Sequence, residues 1–180
     1  MEKEGIDSEL MRRANIPLVL NSYMDIFSSF DPRPYSDKAL SDDFLIECKR
    51  AVREKENSGI ELVLAVPSSK RSLNDEFKIK KRLREHFHKH FAEKQRELAK
   101  ISRMGVFWVI LGVLIMIGVI YLLINIENTF FVSLLTIFEI PSWFLIWEGM
   151  GKIFFDSKKI EPDFKFYQKM VNCQVVFHGY

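Results

Sequence analysis

The stretch MGVFWVILGVLIMIGVIYLLI, from Met104 to Ile124, contains no charged side chain. An α-helix needs roughly 20 apolar residues to cross the hydrocarbon of a bilayer, and this stretch has that length. A second apolar stretch, FFVSLLTIFEIPSWFLIW, follows the polar break NIENT. The two predict a transmembrane hairpin with helices over residues 104–124 and 130–150, joined by a short external loop over 125–129.

Basic residues flank both ends of the predicted hairpin, whereas the loop carries only the acidic Glu127. By the positive-inside rule both termini are cytoplasmic, which predicts a two-pass integral protein of the cell membrane. Indole rings and long cations favour the membrane interface. The predicted anchors on the cytoplasmic side are Arg103, Trp108, Trp143, Trp147 and Lys152.

The second apolar stretch is interrupted by Glu139 and Pro141. At 100° per residue, Thr136, Glu139 and Ser142 share one arc of a helix and form an intramembrane polar stripe. A carboxyl at this depth needs a partner, so Glu139 is interpreted either as a neutral hydrogen-bond donor between helices or as part of a ring lining a conducting path.

A two-helix hairpin, a long helix before the first span and an acidic residue plus proline in the second give a topology that resembles the calcium uniporter family. In this chain Ile140 separates Glu139 from Pro141, and Leu135 or Thr136 stands where the filter motif of that family has an aspartate. The resemblance therefore covers topology and implies no calcium site.

Small residues allow helices to approach closely. Gly105 and Gly112 are seven residues apart and share one face of the first predicted span, and Pro141 shapes the second. Packing within the hairpin and oligomerisation both explain this pattern.

The remaining sequence predicts one small cytoplasmic α/β domain. Apolar runs near residues 16–23, 60–66 and 173–178 predict strands, and the region near 42–56 predicts a helix that begins after Ser41. The strand, helix, strand order predicts that the first two strands are parallel, and the last strand is expected to join the strand at 60–66. The domain comprises residues 16–73 and 162–180, preceded by a polar segment over 1–15. An interfacial linker over 151–161 leads to a short helix that begins at Pro162.

The sequence over residues 74–103 predicts a basic amphipathic helix. This helix is expected to continue into the first span, because neither glycine nor proline occurs between Asn74 and Gly105. Residues 70–103 contain seven Lys and five Arg against five Asp or Glu. Membrane lipid with anionic headgroups is the expected partner of this helix. Nucleic acid is disfavoured because no reading module or stacking platform is evident.

The proline-containing segment over residues 24–41 predicts an ordered loop. Its charged residues form either structural contacts or a ligand site, and they are Asp25, Asp31, Arg33 and Asp37. His86 and His90, one helical turn apart, lack further metal ligands, so a solvated basic helix face is the preferred interpretation. Cys48 and Cys173 are expected to be reduced thiols.

The sequence contains no phosphate-binding glycine loop, nucleophile elbow, paired-cysteine zinc pattern or HExxH motif, so we predict no catalytic residue, cofactor or metal. The leading hypothesis is a non-enzymatic, homo-oligomeric membrane scaffold or interaction protein. The alternatives are an oligomeric cation or proton channel lined by Glu139, and a membrane-anchored ligand sensor or enzyme that uses the 24–41 loop. The sequence names no protein partner.

Overall fold

The computed structural model describes residues 16–53, 61–126 and 128–180, which are mostly helical and include one small sheet. The predicted polar segment over 1–15, the predicted helix end at 54–56, Ile60 and Glu127 lie outside the described residues. By its contacts the chain divides into two compact units. The first comprises the chain to Ala92 together with Lys165–Tyr180, and the second comprises Glu93–Phe164.

The sheet contains β1 (Ile16–Val19), β2 (Glu61–Val66) and β3 (Gln174–Gly179), with β2 in the centre. Both of its pairings are parallel, and Leu62 of β2 is the partner of Ile16 on one side and of Val175 on the other. The predicted parallel pairing of the first two strands and the return of the last strand to β2 are confirmed. Parallel neighbouring strands need a crossover connection between them. The crossover from β2 to β3 contains both apolar stretches.

The first strand is shorter than the predicted range of 16–23, because a competing local structure begins at Ser22. The Asp25 carboxylate accepts hydrogen bonds from the backbone N–H groups of Asn21, at 2.7 Å, and Ser22, at 3.2 Å. The hydroxyl of Ser22 accepts from the N–H of Met24. This reciprocal capping starts a 3₁₀ turn over Tyr23–Ile26 and ends the strand.

Two amphipathic helices follow from the predicted signals. Helix α1 (Asp42–Arg53) begins after Ser41, with Asp42 and Asp43 in its first turn. Helix α2 (Leu73–Asn125) is one continuous helix, which confirms the prediction of an unbroken helix from the basic segment through the first apolar stretch.

The second apolar stretch is not the single helix predicted over 130–150. It forms α3 (Thr129–Ile137) and α4 (Glu139–Gly151), with a break at Phe138. Pro141 has no N–H to donate to the carbonyl of Ile137, so the helix lacks one hydrogen bond directly beside this break. At the other end, the side chain of Asn128 accepts a hydrogen bond from the N–H of Phe130 and caps α3.

The prediction of an interfacial linker over 151–161 is wrong. Helix α4 is followed directly by a π-helical turn over Lys152–Asp156 and then by α5 (Ser157–Val171). Pro162 therefore lies inside α5 and does not begin a helix as predicted. Residues 152–161 contain no glycine or proline, so helical hydrogen bonding continues through them, and Pro162 removes only one N–H donor.

The hydrophobic core of the first unit lies on one face of the sheet. Leu62, Leu64 and Val66 of β2 point into it and are fully buried. Because β2 residues two apart share one face, the helices that contact these side chains cover that face. They contribute Phe44, Cys48 and Val52 from α1, Ile79, Leu83 and Phe87 from α2, and Phe166, Tyr167 and Met170 from α5.

Candidate functional site

The two apolar stretches pack against each other in an antiparallel helical hairpin, and we call residues 104–150 the apolar hairpin. A Cβ atom added to Gly149 would lie 2.5 Å from the carbonyl oxygen of Gly105 and 2.7 Å from Cγ2 of Val109. A Cβ atom added to Gly105 would lie 2.8 Å from the carbonyl oxygen of Gly149. The helices therefore approach to backbone contact at this pair of glycines.

A second close approach of the two helices occurs at Gly112, seven residues after Gly105 on α2. A Cβ atom there would lie 2.7 Å from the carbonyl oxygen of Ser142 and 2.8 Å from Cγ1 of Ile146. Ser142 is fully buried, and its hydroxyl donates to the carbonyl of Phe138 at 2.8 Å. Both predicted glycines thus serve packing within the hairpin, which was one of the two explanations open from the sequence.

The two contacts define a register in which Gly105 faces Gly149 and Gly112 faces Ser142. Extended along the helices, this register brings Arg103, Trp108, Trp147 and Lys152 to one end of the hairpin. Trp147 is 63% exposed there, and Lys152 forms a 2.9 Å ion pair with Glu148. Trp143 is level with Leu111, about 12 Å along the helix from Arg103 at 1.5 Å per residue, and so lies nearer the middle of the hairpin.

The predicted polar stripe is divided between the inside and the outside of the hairpin. Ser142 faces α2, whereas Thr136 and Glu139 are exposed. The hydroxyl of Thr136 donates to the carbonyl of Val132 in its own helix, at 3.0 Å. Of the three, Glu139 alone presents an uncompensated polar group on the outer surface.

Glu139 is the first residue of α4, directly after the break at Phe138. Within residues 16–53, 61–126 and 128–180 its carboxyl group has no hydrogen bond or ion pair. The hairpin register places it level with Ile115, about 18 Å along the helix from Arg103 at 1.5 Å per residue. An unpartnered carboxyl therefore lies near the middle of an apolar surface.

The charged residues of the 24–41 loop form contacts within the loop. The guanidinium group of Arg33 binds the Asp31 carboxylate through two nitrogens, and the N–H of Ala39 donates to the same carboxylate at 2.7 Å. These donors hold the pKa of Asp31 well below its usual range. Asp25 caps the preceding turn, and Asp37 accepts from the hydroxyl of Ser36. The contacts favour the structural interpretation of this loop.

A buried polar cluster near the start of α2 escaped the sequence analysis. Glu76 is 4% exposed and accepts hydrogen bonds from Arg71, at 2.8 and 3.0 Å, and from the hydroxyl of Tyr23, at 3.0 Å. The Arg71 guanidinium lowers the pKa of Glu76. The Tyr23 hydroxyl also accepts from the N–H of Ser72. Nothing in the sequence linked Tyr23 to residues about fifty positions later, and the five-residue spacing of Arg71 and Glu76 does not match the three- or four-residue spacing of helical ion pairs.

His86 and His90 pack together, with ring centroids 4.3 Å apart, and His90 stacks on Tyr167 of α5. His86 Nε2 is buried without a hydrogen-bond partner in the described chain. Burial and the neighbouring positive groups lower the pKa of His86 to about 4. The prediction of a solvated face therefore holds only in part for His86, which is half-buried beside His90, and His90 in turn packs on Tyr167 of α5. Within the described residues no group of three or more His, Cys, Asp or Glu side chains is suited to a metal ion.

Both cysteines are free thiols. Burial raises the pKa of Cys48 to about 12 and that of Cys173 to about 11. A thiol needs to ionise to act as a nucleophile or metal ligand, so the raised pKa values favour a packing role for both cysteines at neutral pH.

By length and composition, two helical segments of the described chain, Leu73–Asn125 and Phe130–Val171, are suited to crossing a membrane. Comparison with protein-family models, curated proteins and solved structures finds no match for this chain.

Proposed function

We propose that this chain is a two-pass integral protein of the cell membrane, with both termini in the cytoplasm, that forms homo-oligomers and acts as a non-enzymatic scaffold or interaction protein. The observation that carries the proposal is the outward exposure of the apolar hairpin. Only 11% of the most apolar window of α2, and 6% of that of the second helical segment, is buried. A core helix of a water-soluble protein hides such a surface, whereas lipid accepts it on every side.

The extent of the exposed apolar surface supports lipid as the surrounding solvent. Large apolar residues face outward on both arms of the hairpin, with exposed fractions of 53–79%. Monomeric soluble proteins rarely expose contiguous apolar surface beyond a few hundred Å². The large apolar residues that face outward on the two arms include Phe107, Ile110, Leu114, Ile117, Ile124, Phe130, Ile137, Ile140, Phe144 and Trp147.

The distribution of cations supports the orientation. Arg96, Lys100 and Arg103 precede the first apolar arm, and Lys152, Lys158 and Lys159 follow the second. The arms are antiparallel, so these cations belong to the same end of the hairpin. Cations near the ends of spans favour the cytoplasmic side.

Glu139 supports self-association. Insertion scales assign a charged side chain at the centre of a membrane helix a cost of about 3 kcal/mol, so an outward carboxyl favours a protein neighbour over lipid. A second copy of the hairpin covers the carboxyl and the helix break beside it. In that arrangement a neutral carboxyl donates a hydrogen bond across the interface.

The experiment compares substitutions of two glutamates of the same helix. Wild type, Glu139→Leu, Glu139→Gln and Glu148→Gln are extracted in mild detergent and their masses measured. We expect an oligomer for wild type, dissociation for Glu139→Leu, weaker dissociation for Glu139→Gln, whose amide retains a donor, and no change for Glu148→Gln, since Glu148 pairs with Lys152 within the chain. A monomeric wild type would contradict self-association, and release by alkaline carbonate would contradict membrane insertion.

A second candidate function is an oligomeric cation or proton channel. It is favoured by the exposed carboxyl of Glu139, two residues after Ile137, whose carbonyl Pro141 leaves without its usual amide donor, since carboxylate and carbonyl oxygens together suit a cation or proton. Wild type and Glu139→Gln are reconstituted in liposomes, and cation and proton flux are measured. Flux that Glu139→Gln abolishes supports the channel, and no flux from either protein rejects it.

A further inference from the structure

Lys100 and Arg103 lie one turn apart on α2, immediately before the uncharged stretch begins at Met104. Both are exposed. The Nε atom of Arg103 donates to the carbonyl of Ala99 at 3.3 Å, so its two terminal nitrogens remain available to an anion. Two carboxylates at this end of the hairpin are already engaged, that of Glu97 by Lys94 and that of Glu148 by Lys152, each at 2.9 Å.

The same face of α2 continues as an apolar surface. Met104, Phe107 and Trp108 line one shallow hollow together with Lys100 and Arg103. They follow Lys100 by four, seven and eight residues, which places all five side chains on one side of the helix. Met104 and Phe107 are 43% and 59% exposed. The hollow thus joins two cations to an apolar floor.

A phospholipid has the complementary arrangement, with an anionic phosphate directly next to its acyl chains. We infer that this hollow binds one anionic phospholipid, with the phosphate on Lys100 and Arg103 and an acyl chain against Met104 and Phe107. The charge of the cations selects an anionic over a zwitterionic headgroup, because each basic residue near a membrane surface contributes about 1 kcal/mol of attraction.

The apolar floor distinguishes a lipid from a soluble phosphate compound. A soluble anion would contact only the two cations and would leave Met104, Phe107 and Trp108 in water. A membrane-embedded lipid covers them. The inference rests on the proposed membrane insertion and adds a defined lipid site to it.

Trp108 provides a direct probe for the test. In full-length protein carrying Trp143→Phe and Trp147→Phe, Trp108 is the one remaining tryptophan of the sequence. The protein is reconstituted in phosphatidylcholine vesicles that contain a minor fraction of brominated phosphatidylglycerol or brominated phosphatidylcholine, and the quenching of Trp108 fluorescence is measured. We expect a preference for phosphatidylglycerol of about thirtyfold, since two cations at about 1 kcal/mol each give about 2 kcal/mol and every 1.4 kcal/mol is tenfold.

Charge variants decide whether these two residues make the site. Lys100→Gln with Arg103→Gln should remove the preference, whereas Arg50→Gln with Arg53→Gln, which removes the same charge from α1, should retain it. Glycerol 3-phosphate in the buffer should not relieve the quenching.

Quenching without a preference in the wild-type background, an unchanged preference in Lys100→Gln with Arg103→Gln, or relief by glycerol phosphate would overturn the lipid site alone. Absence of quenching by either brominated lipid would overturn membrane insertion as well.

Discussion

Gly105 and Gly149 face each other across the hairpin so closely that a methyl group on Gly149 would lie 2.5 Å from the carbonyl oxygen of Gly105. Backbone is the obstacle, so a side-chain rotation cannot relieve the contact. The closest approach of the two apolar arms therefore depends on the absence of a Cβ atom at both positions.

We predict that Gly149→Ala separates the arms and lowers the stability of the hairpin by about 1–3 kcal/mol, the usual cost of overpacking a close contact. The measurement is thermal unfolding in mild detergent. Gly118→Ala is the matched control, since a Cβ atom at Gly118 meets no atom within 4 Å and alanine favours helix. A loss of stability in Gly118→Ala equal to that in Gly149→Ala would show that glycine content matters and the contact does not.

We predict that His86 makes the protein sensitive to acid. Its pKa is about 4 in the folded chain, because of burial and the positive charges of His90, Arg82 and Lys89, against 6.5 for an unperturbed histidine. Between these values the unfolded chain binds a proton that the folded chain does not. Stability is therefore complete above the unfolded pKa and falls as the pH drops toward 4.

His86→Phe should give a smaller loss of stability between pH 6.5 and 4 than wild type, because an aromatic ring remains and the buried Nε2 atom is removed. Thermal unfolding across this pH range is the measurement, and His88→Phe, at an exposed position of the same helix, is the control. Identical pH profiles for His86→Phe and wild type would refute the assignment of this acid sensitivity to His86.

We predict that Asp31→Asn loosens the 24–41 loop. The substitution removes the charge that binds Arg33 and one of the oxygens that organise the backbone around Ala39. Hydrogen exchange of the Ala39 amide should become several-fold faster. Asp37→Asn should leave that amide unchanged, because the Asp37 carboxylate accepts from the hydroxyl of Ser36, whereas the Ala39 amide donates to Asp31. Slow exchange at Ala39 in Asp31→Asn would mean that other contacts hold the loop.

Features with a local physical origin were predicted well. Helix α2 follows from the absence of glycine and proline between Asn74 and Gly105, and β2 from a run rich in branched residues that ends before Pro67. The break at Phe138 and the helix over residues 151–161 were missed. In both places the outcome depends on whether helical hydrogen bonding continues from one turn to the next. The spacing of the apolar residues alone does not determine this.

The arrangement of the predicted polar stripe could not be obtained from the sequence. Thr136, Glu139 and Ser142 share an arc on an ideal helix, yet the close approach at Gly112 directs Ser142 inward while Glu139 remains outside. The cluster of Tyr23, Arg71 and Glu76 had no signal for its tyrosine, because the contact joins residues far apart in the chain.

The sequence by itself determined the lengths of the apolar stretches, the unbroken helix leading into the first and the local patterns of the strands, because each depends on neighbours within one or two turns. Only the tertiary structure decided that Gly105 meets Gly149 of the same chain and that Nε2 of His86 is buried. Those outcomes depend on which distant surfaces approach closely enough to exclude other partners.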